Sequence, residues 1–315
     1  YGDKLDYAQG YTSGRAIYDE VDKVDPKENE RLREEALQKA KQADLIIFIG
    51  GLNKNCKQDC ENADRESYDL SFGQNELITA LAKLQKNIVV CTFGGNAFAT
   101  PWIGQVKGFV HCWYLGSMAG DALADVLSGT CNPSGKLPVT FAKKLGDYSF
   151  AQYGAEAYPG VNKQVYYKEG LFVGYRHFDT HKVIPQFPFG FGLSYTTFSY
   201  GRPRLSANSL KGDGKLTLSV DITNTGKREG KEIVQLYIGQ QSPVEERPLK
   251  ELKGFEKVSL KPGETKTVDF TISKPMLQYF SAKSHDWTVD NDTFAAYVCA
   301  SSEDVRGKVS FSYQQ

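Results

Sequence analysis

Three acidic side chains occur within the nine residues from Lys57 to Arg65, and their types and spacing could do acid–base chemistry. The segment follows an apolar run, residues 44–51, that ends in two glycines. A hydrophobic strand that opens into a polar loop is where α/β domains place catalytic residues, because the rigid sheet positions an otherwise mobile segment. The pattern therefore predicts a catalytic loop. Its candidate acids are Asp59, Glu61 and Asp64.

The overall composition limits what else the chain can do. Its 38 basic and 38 acidic side chains cancel, so it lacks the positive surface expected of a nucleic-acid-binding protein. No apolar run approaches the length of a membrane span, so we expect neither a nucleic acid nor a membrane as a partner. A hydrophobic content of 40% supports sizeable cores, and 315 residues suit two domains.

Six cysteines are present, and Cys56 and Cys60 form a C-x3-C pair in the polar loop. A zinc site normally combines two such clusters, and a second one is missing here, so we expect no bound metal. A disulfide between them would require an oxidising compartment; a disulfide and two thiols remain equal alternatives. Cys91 and Cys112 lie in apolar runs and are expected to be buried, inert thiols.

Strand and helix patterns alternate up to residue 128, which predicts a mostly parallel sheet covered by helices. The predicted helices are 26–43, 73–86 and 119–128, and the predicted strands are 45–49, 88–93 and 108–113. Residues 130–188 are rich in Gly, Pro, Tyr and Phe without a period, so we expect an ordered wrap or a long linker. From 187 onward, short alternating strands between turn residues predict a β-sandwich.

The Gly94-Gly95 turn leaves a nucleotide-dependent enzyme as one alternative. However, no G-x-G-x-x-G joins a predicted strand to a helix, and no G-x-x-x-x-G-K-[ST] occurs. These are the glycine patterns that hold nucleotide phosphates, so we expect no cofactor.

Seven short motifs, in order along the chain, resemble the signatures of one enzyme family. They are Asn132–Phe141, Glu169–Arg176, Pro188–Phe198, Asn224–Lys227, Val234–Tyr237, Arg247–Phe255 and Ala300–Arg306. The first three are similar to motifs of glycoside hydrolase family 3, the β-glucosidase/β-xylosidase family, and the others to its fibronectin type III-like domain. The resemblance implies an α/β sandwich domain at 1–145, a connecting wrap at 146–186 and a fibronectin type III-like domain at 187–315.

The same resemblance implies that part of the enzyme lies outside this chain. In this family a (β/α)8 barrel precedes the α/β sandwich and carries the nucleophilic Asp. The family's sandwich domain also has an apolar strand that would precede Tyr1, so we expect a sheet truncated at its N-terminus. An unpaired apolar edge does not persist alone in water. We therefore expect a C-terminal fragment whose barrel-bearing portion is a separate chain.

The resemblance also implies roles within the loop. The family's acid/base Glu lies three residues before an Asp-Arg pair, and Glu61 occupies this position ahead of Asp64 and Arg65. Glu61 is therefore expected to be catalytic, while Asp64 and Arg65 order the loop. Asp59 and Glu66 are expected to be solvated surface acids.

The expected function is that of a retaining exo-β-glycosidase acting on a β-glucoside or a short β-linked oligosaccharide, with glucoside preferred over xyloside. Trp102, Trp113 and Tyr68 are candidates for stacking on sugar faces, although aromatic side chains beside strands more often belong to the core. The alternative from another class is a non-catalytic carbohydrate- or protein-binding module. The family suggests a periplasmic or secreted location.

Overall fold

The computed structural model describes residues 4–12, 24–54, 57–61 and 64–315. The chain divides into two compact units, Tyr1–Ala124 and Asp125–Gln315. Within the described ranges, no helix is long and apolar enough to cross a membrane. Cys56 lies outside the described residues. The alternatives of a Cys56–Cys60 disulfide and two thiols therefore both remain open.

The first unit alternates helices and strands as predicted. Its elements are α1 (Pro26–Ala40), β1 (Ile46–Gly51), α2 (Gln74–Leu84), β2 (Ile88–Phe93), β3 (Gly108–His111) and α3 (Ala119–Ser128), the last of which continues into the second unit. The strands pair in parallel in the order β1-β2-β3. This arrangement confirms the predicted α/β fold with a parallel sheet.

The sequence around α1 explains where this helix begins and which face it buries. Asp25 caps it by accepting a hydrogen bond from the Lys27 N–H at 3.0 Å, and Pro26 occupies the first turn, where a missing N–H costs nothing. The buried side chains recur four residues apart and are Leu32, Ala36 and Ala40. This apolar stripe lets α1 contact α2.

The carboxyl end of β1 is fixed by the first residue of α2. The buried Gln74 side chain accepts a hydrogen bond from the Gly51 N–H at 2.7 Å and donates one to the Gly51 carbonyl at 2.8 Å. Gly51 has a φ of +124°, and a Cβ there would lie 1.9 Å from the Phe93 carbonyl oxygen, so only glycine fits beside β2. These contacts set the point from which the candidate loop departs.

Residues 130–188 form an ordered segment of short elements in the second unit. They contain two 3-10 helices, Leu145–Asp147 and Ser149–Glu156, and a short helix, α4 (Tyr175–His181). The Phe141 carbonyl accepts hydrogen bonds from the backbone N–H groups of Gln186 and Phe187 at 2.8 and 3.1 Å, which joins the two ends of the segment. Of the two alternatives, the structure shows an ordered segment rather than a long linker.

The remainder of the second unit is a β-sandwich, as predicted. Its elements are β4 (Phe198–Tyr200), β5 (Arg204–Leu205), β6 (Ser209–Lys211), β7 (Lys215–Asn224), β8 (Gly230–Gln240), β9 (Glu251–Leu260), β10 (Thr265–Ser273), α5 (Lys274–Leu277), β11 (Tyr279–Ser281), β12 (Asp286–Thr288), β13 (Asp292–Cys299) and β14 (Val305–Gln314). One sheet has the order β10-β7-β4, with β5 also paired to β7, and the other has the order β6-β14-β13-β8-β9. Alternate residues of β7 face the core and are Leu216, Leu218, Val220 and Ile222.

Candidate active-site loop

The first turn of the candidate loop is closed by hydrogen bonds within the loop and to β2. The Asp59 N–H donates to the Asn53 carbonyl at 3.1 Å, and the Gln58 side-chain oxygen accepts from the Asn53 N–H at 3.4 Å. The Leu52 N–H donates to the Phe93 carbonyl at 2.8 Å and so extends the pairing of β1 with β2. The sheet therefore fixes the start of the loop.

The Asp59 carboxylate is the centre of a hydrogen-bond cluster. Its Oδ2 accepts from the Gly95 N–H at 2.5 Å and the Tyr114 hydroxyl at 2.7 Å, and its Oδ1 accepts from the Asn96 amide at 2.5 Å. Gly95 and Asn96 follow β2 and Tyr114 follows β3, so one side chain ties the loop to the ends of both strands. The expectation that Asp59 is a solvated surface acid is wrong, because three donors of the protein bind its carboxylate. These donors lie close together because parallel strands end at one edge of the sheet.

A second contact holds the other side of the loop. Arg65 donates from Nη2 to the Ala97 carbonyl at 2.6 Å, and its guanidinium lies 5.7 Å from the centre of the Tyr68 ring. Ala97 belongs to the same turn, residues 94–97, as the partners of Asp59 that follow β2. Asp64, beside Arg65, is exposed. The loop is thus anchored to this turn both before and after Glu61.

Glu61 lies between the two anchors and is exposed. In the part of the chain that the structure describes, no hydrogen bond or ion pair holds its carboxyl. The Glu66 carboxyl, in contrast, has an ion-pair partner, since its Oε1 lies 2.5 Å from the Lys57 Nζ. The Glu66 side chain is 72% exposed, as expected of a surface acid. Glu61 is therefore an accessible carboxyl on a loop whose backbone is fixed on both sides.

A neutral histidine lies close to the Asp59 cluster. The Nδ1 of His111 is 3.0 Å from the Thr92 Oγ1, and its ring meets the Trp113 ring edge-on at 4.5 Å between centres. Burial lowers the pKa of His111 to about 4, although the Asp59 charge acts in the opposite direction.

Burial and the hydrogen bond to Asp59 raise the pKa of Tyr114, so its hydroxyl stays protonated and donates.

The three aromatic candidates for sugar stacking differ in exposure. Trp102 is wholly buried, and its indole N–H donates to the Asn75 side-chain oxygen at 2.9 Å. Tyr68 is 8% exposed, and Trp113 is half-buried. Trp102 therefore offers no face to a ligand in this chain, whereas Trp113 offers part of its ring.

Cys91, in β2, and Cys112, directly after β3, are buried thiols, which confirms the prediction for both. Burial raises the pKa of Cys91 to about 12 and that of Cys112 to about 11, so neither forms a reactive thiolate near neutral pH. Among the residues that the structure describes, no group of three His, Cys, Asp or Glu is placed to hold a metal ion.

The sequence-based reasoning missed the partners that hold the loop, which are Gly95, Asn96 and Tyr114. A signal for them exists in the sequence, because each lies one to three residues after a predicted strand. The carboxyl ends of parallel strands converge, so polar residues just after β2 and β3 are natural partners for the loop after β1.

The fold and the loop define a class of protein in which an α/β domain with a candidate catalytic carboxylate is followed by a fibronectin-like sandwich. Residues 4–175 match the family model of the glycosyl hydrolase family 3 C-terminal domain, and residues 232–302 match that of a fibronectin type III-like domain. Because the first match covers more than half of the 315 residues, the chain belongs to glycosyl hydrolase family 3.

Similar proteins carry the name β-glucosidase. The chain is 51% identical to β-glucosidase BoGH3A of Bacteroides ovatus, over 100% of the chain but only 42% of that protein. It is 38% identical to a periplasmic β-glucosidase of Salmonella typhimurium, over 89% of the chain and 37% of that protein. The crystal structure of a family 3 β-glucosidase from Bifidobacterium adolescentis has a TM-score of 0.86 at 34% identity, covering 97% of this chain and 43% of that one. The chain thus spans less than half the length of these relatives.

Proposed function

We propose that this chain is the C-terminal portion of a retaining exo-β-glucosidase and supplies its general acid/base, Glu61. The observation that carries the proposal is an exposed Glu on a loop anchored to one turn by Asp59 and Arg65, at the carboxyl edge of the sheet. The names of the relatives support the activity. The contact of Arg65 with Ala97 supports a loop-ordering role for Arg65, and Asp64 beside it has the same proposed role.

The mechanism needs two carboxyl groups on either side of the glycosidic bond, about 5–5.5 Å apart in a retaining enzyme. A carboxylate outside these residues, on the (β/α)8 barrel, attacks the anomeric carbon while Glu61 gives its proton to the departing glycosidic oxygen. Glu61 then takes a proton from water, and the resulting hydroxide equivalent displaces the barrel carboxylate from the sugar. Glu61 thus returns to its protonated form, and the anomeric configuration is retained.

The substrate in this proposal is a β-glucoside or a short β-linked oligosaccharide, and the partner is the barrel portion of the same enzyme. Trp113 and Tyr68 are the proposed sugar contacts, and Trp102 has a packing role because it is wholly buried. We place the domain boundaries at 145/146 and 186/187. A periplasmic or secreted location is proposed from the family and from the name of the Salmonella relative.

The test is Glu61→Gln in the enzyme assembled with its barrel portion. For substrates with poor leaving groups, kcat/KM should fall by about 10²–10⁴-fold, because the departing oxygen no longer receives a proton. For aryl glucosides with acidic leaving groups, kcat/KM should be largely spared, because these need no proton. Glu66→Gln is the matched control, since Glu66 is an exposed acid of the same loop, and its kinetics should stay within about twofold of wild type.

An unchanged rate in Glu61→Gln would remove Glu61 from the mechanism. In that case the non-catalytic carbohydrate- or protein-binding module becomes the better account of the chain. Isothermal titration of the chain with cello-oligosaccharides would then measure whether it binds sugar without hydrolysing it.

A further inference from the structure

We propose that Asp59 is a positioning residue that sets the location of the Glu61 carboxyl by anchoring the loop to the ends of β2 and β3. The inference rests on the proposed function, because it assigns a role toward the same acid/base. Asp59 does not touch the reacting atoms in this proposal; it acts through the backbone that it shares with Glu61.

The first argument is the use that Asp59 makes of its carboxylate. An ionised carboxylate can only accept hydrogen bonds, and here both oxygens accept from well-placed donors: a backbone N–H, a side-chain amide and a phenol. Such charge-assisted bonds are shorter and about twice as strong as neutral ones. Because both carboxylate oxygens already accept hydrogen bonds within the protein, Asp59 is suited to holding the loop rather than to exchanging a proton with a substrate.

The second argument is the close fit at Gly95. A Cβ at this position would lie 3.1 Å from the Tyr114 ring and 3.3 Å from the Asp59 Oδ2, which is tighter than ordinary van der Waals contact. The glycine therefore lets the carboxylate approach the backbone N–H closely. A side chain here would push Asp59 and Tyr114 away, and the loop with them.

The third argument is distance along the chain. Glu61 is two positions after Asp59 in the sequence, so their Cα atoms are at most about 7 Å apart. A displacement of the Asp59 backbone therefore moves the Glu61 backbone by a similar distance. Misplacing a catalytic group by about 1 Å can cost about 10²-fold in rate, so an anchor this close has a measurable effect on proton transfer.

The experiment compares Asp59→Asn, Tyr114→Phe, Glu61→Gln and the control Glu66→Gln in the assembled enzyme. Asp59→Asn keeps the size of the side chain but replaces one acceptor oxygen with a donor that faces existing donors. We expect kcat/KM to fall by about 10–10²-fold for poor leaving groups and by less than about threefold for an activated aryl glucoside. Tyr114→Phe removes one donor and should give a smaller loss with the same leaving-group pattern.

The leaving-group dependence separates positioning from general damage to the fold. A merely structural defect lowers the rate for all substrates equally, whereas a misplaced acid affects only those that need a proton. The high-pH limb of the kcat/KM profile should also move in Asp59→Asn, because the environment of the acid has changed. Melting temperatures of all variants identify any loss of folded enzyme, and Tyr114→Phe keeps the test valid if Asp59→Asn does not fold.

The outcomes distinguish this inference from the proposed function. If Glu61→Gln loses activity but Asp59→Asn and Tyr114→Phe match the Glu66→Gln control, Glu61 is catalytic and the positioning role of Asp59 is overturned. If Asp59→Asn slows poor and activated substrates equally, its role is structural and the inference also fails. If Glu61→Gln is itself unaffected, the proposed function fails first.

Discussion

At the scale of residues, the acids of the loop have different partners although they are close in sequence. Asp59 is surrounded by donors, Glu66 is paired with Lys57, and the Glu61 carboxyl has no such contact within the described residues. A general acid must be able to release its proton to a substrate, so strong internal bonds to a carboxylate would work against this role. The contacts therefore favour Glu61 over its neighbours.

Trp102 provides a test that separates packing from sugar stacking. Trp102→Phe removes the donor to the buried Asn75 oxygen and leaves that acceptor unsatisfied, which should destabilise the fold by about 1–3 kcal/mol. The KM of the assembled enzyme should stay unchanged, because the ring is wholly buried. Urea unfolding and steady-state kinetics measure the two effects. A several-fold rise in KM without a change in stability would instead support stacking on substrate.

His111 should make the stability of the first unit depend on pH. Its imidazole takes up a proton at about pH 6.5 in the unfolded chain but only at about pH 4 in the folded chain, because burial disfavours the charge. Between these values the unfolded state binds more protons, so stability falls as the pH falls from about 6.5 to about 4. His111→Gln should flatten this dependence, as measured by urea unfolding across the window. At pH 8, where both states are neutral, the imidazole should contribute no slope; an equal slope in the variant within the window would contradict the assignment.

At this scale the sequence predicts a candidate catalytic loop but not the contacts that hold it. The carboxylate loop was recognisable because acids cluster after an apolar strand. The partners of Asp59 lie 36, 37 and 55 residues away in the sequence, at Gly95, Asn96 and Tyr114. Only the pairing order of the strands brings them together, and single-sequence periodicity carries no information on that order.

At the scale of elements, α4 shows how tertiary contacts stabilise a helix too short to be stable alone. Its Asp179 forms a buried ion pair with Lys250, which precedes β9; their side chains are 3% and 6% exposed. The Tyr175 hydroxyl accepts from the Leu252 N–H at 2.9 Å, and the Thr180 hydroxyl accepts from the Leu249 N–H at 3.0 Å. The strands of the sandwich were predictable because apolar and polar residues alternate along them. Helix α4 was not predictable from the local sequence, because it depends on these distant partners.

Lys250→Met should therefore destabilise the second unit by about 3–5 kcal/mol, because it leaves the Asp179 carboxylate buried without its partner. Burial already raises the pKa of Asp179, and Lys250 opposes this change. The control is Lys266→Met, whose exposed pair with Glu264 should contribute no more than about 1 kcal/mol. Chemical unfolding measures both values.

The double variant Asp179→Leu/Lys250→Met provides the second half of this test. It removes both charges and should recover most of the lost stability, since a well-packed apolar pair often replaces a buried ion pair at little cost. If Lys250→Met alone is as stable as the wild type, the ion pair does not hold α4 against the sandwich.

At the scale of the whole molecule, the proposed function assigns to this chain one of the two carboxyl groups that a retaining glycosidase needs. The sheets that the described residues form have three, four, two and five strands, and none of them is an eight-stranded barrel. In the proposed function, the nucleophile and most of the sugar pocket belong to the barrel portion. The proposal therefore expects activity only from the assembled enzyme.

The chain alone should accordingly hydrolyse no β-glucoside, because protonation of the leaving group without a nucleophile does not give a glycosyl-enzyme. Mixing it with the separately prepared barrel portion should restore hydrolysis of cellobiose if the two parts associate. The Glu66→Gln chain should restore it equally well, whereas the Glu61→Gln chain should restore about 10²–10⁴-fold less. Mass spectrometry of the mixture shows whether the complex forms, so failure to assemble is distinguished from failure to react. Hydrolysis by the chain alone would place a nucleophile within these 315 residues and would contradict the division of the active site between two portions.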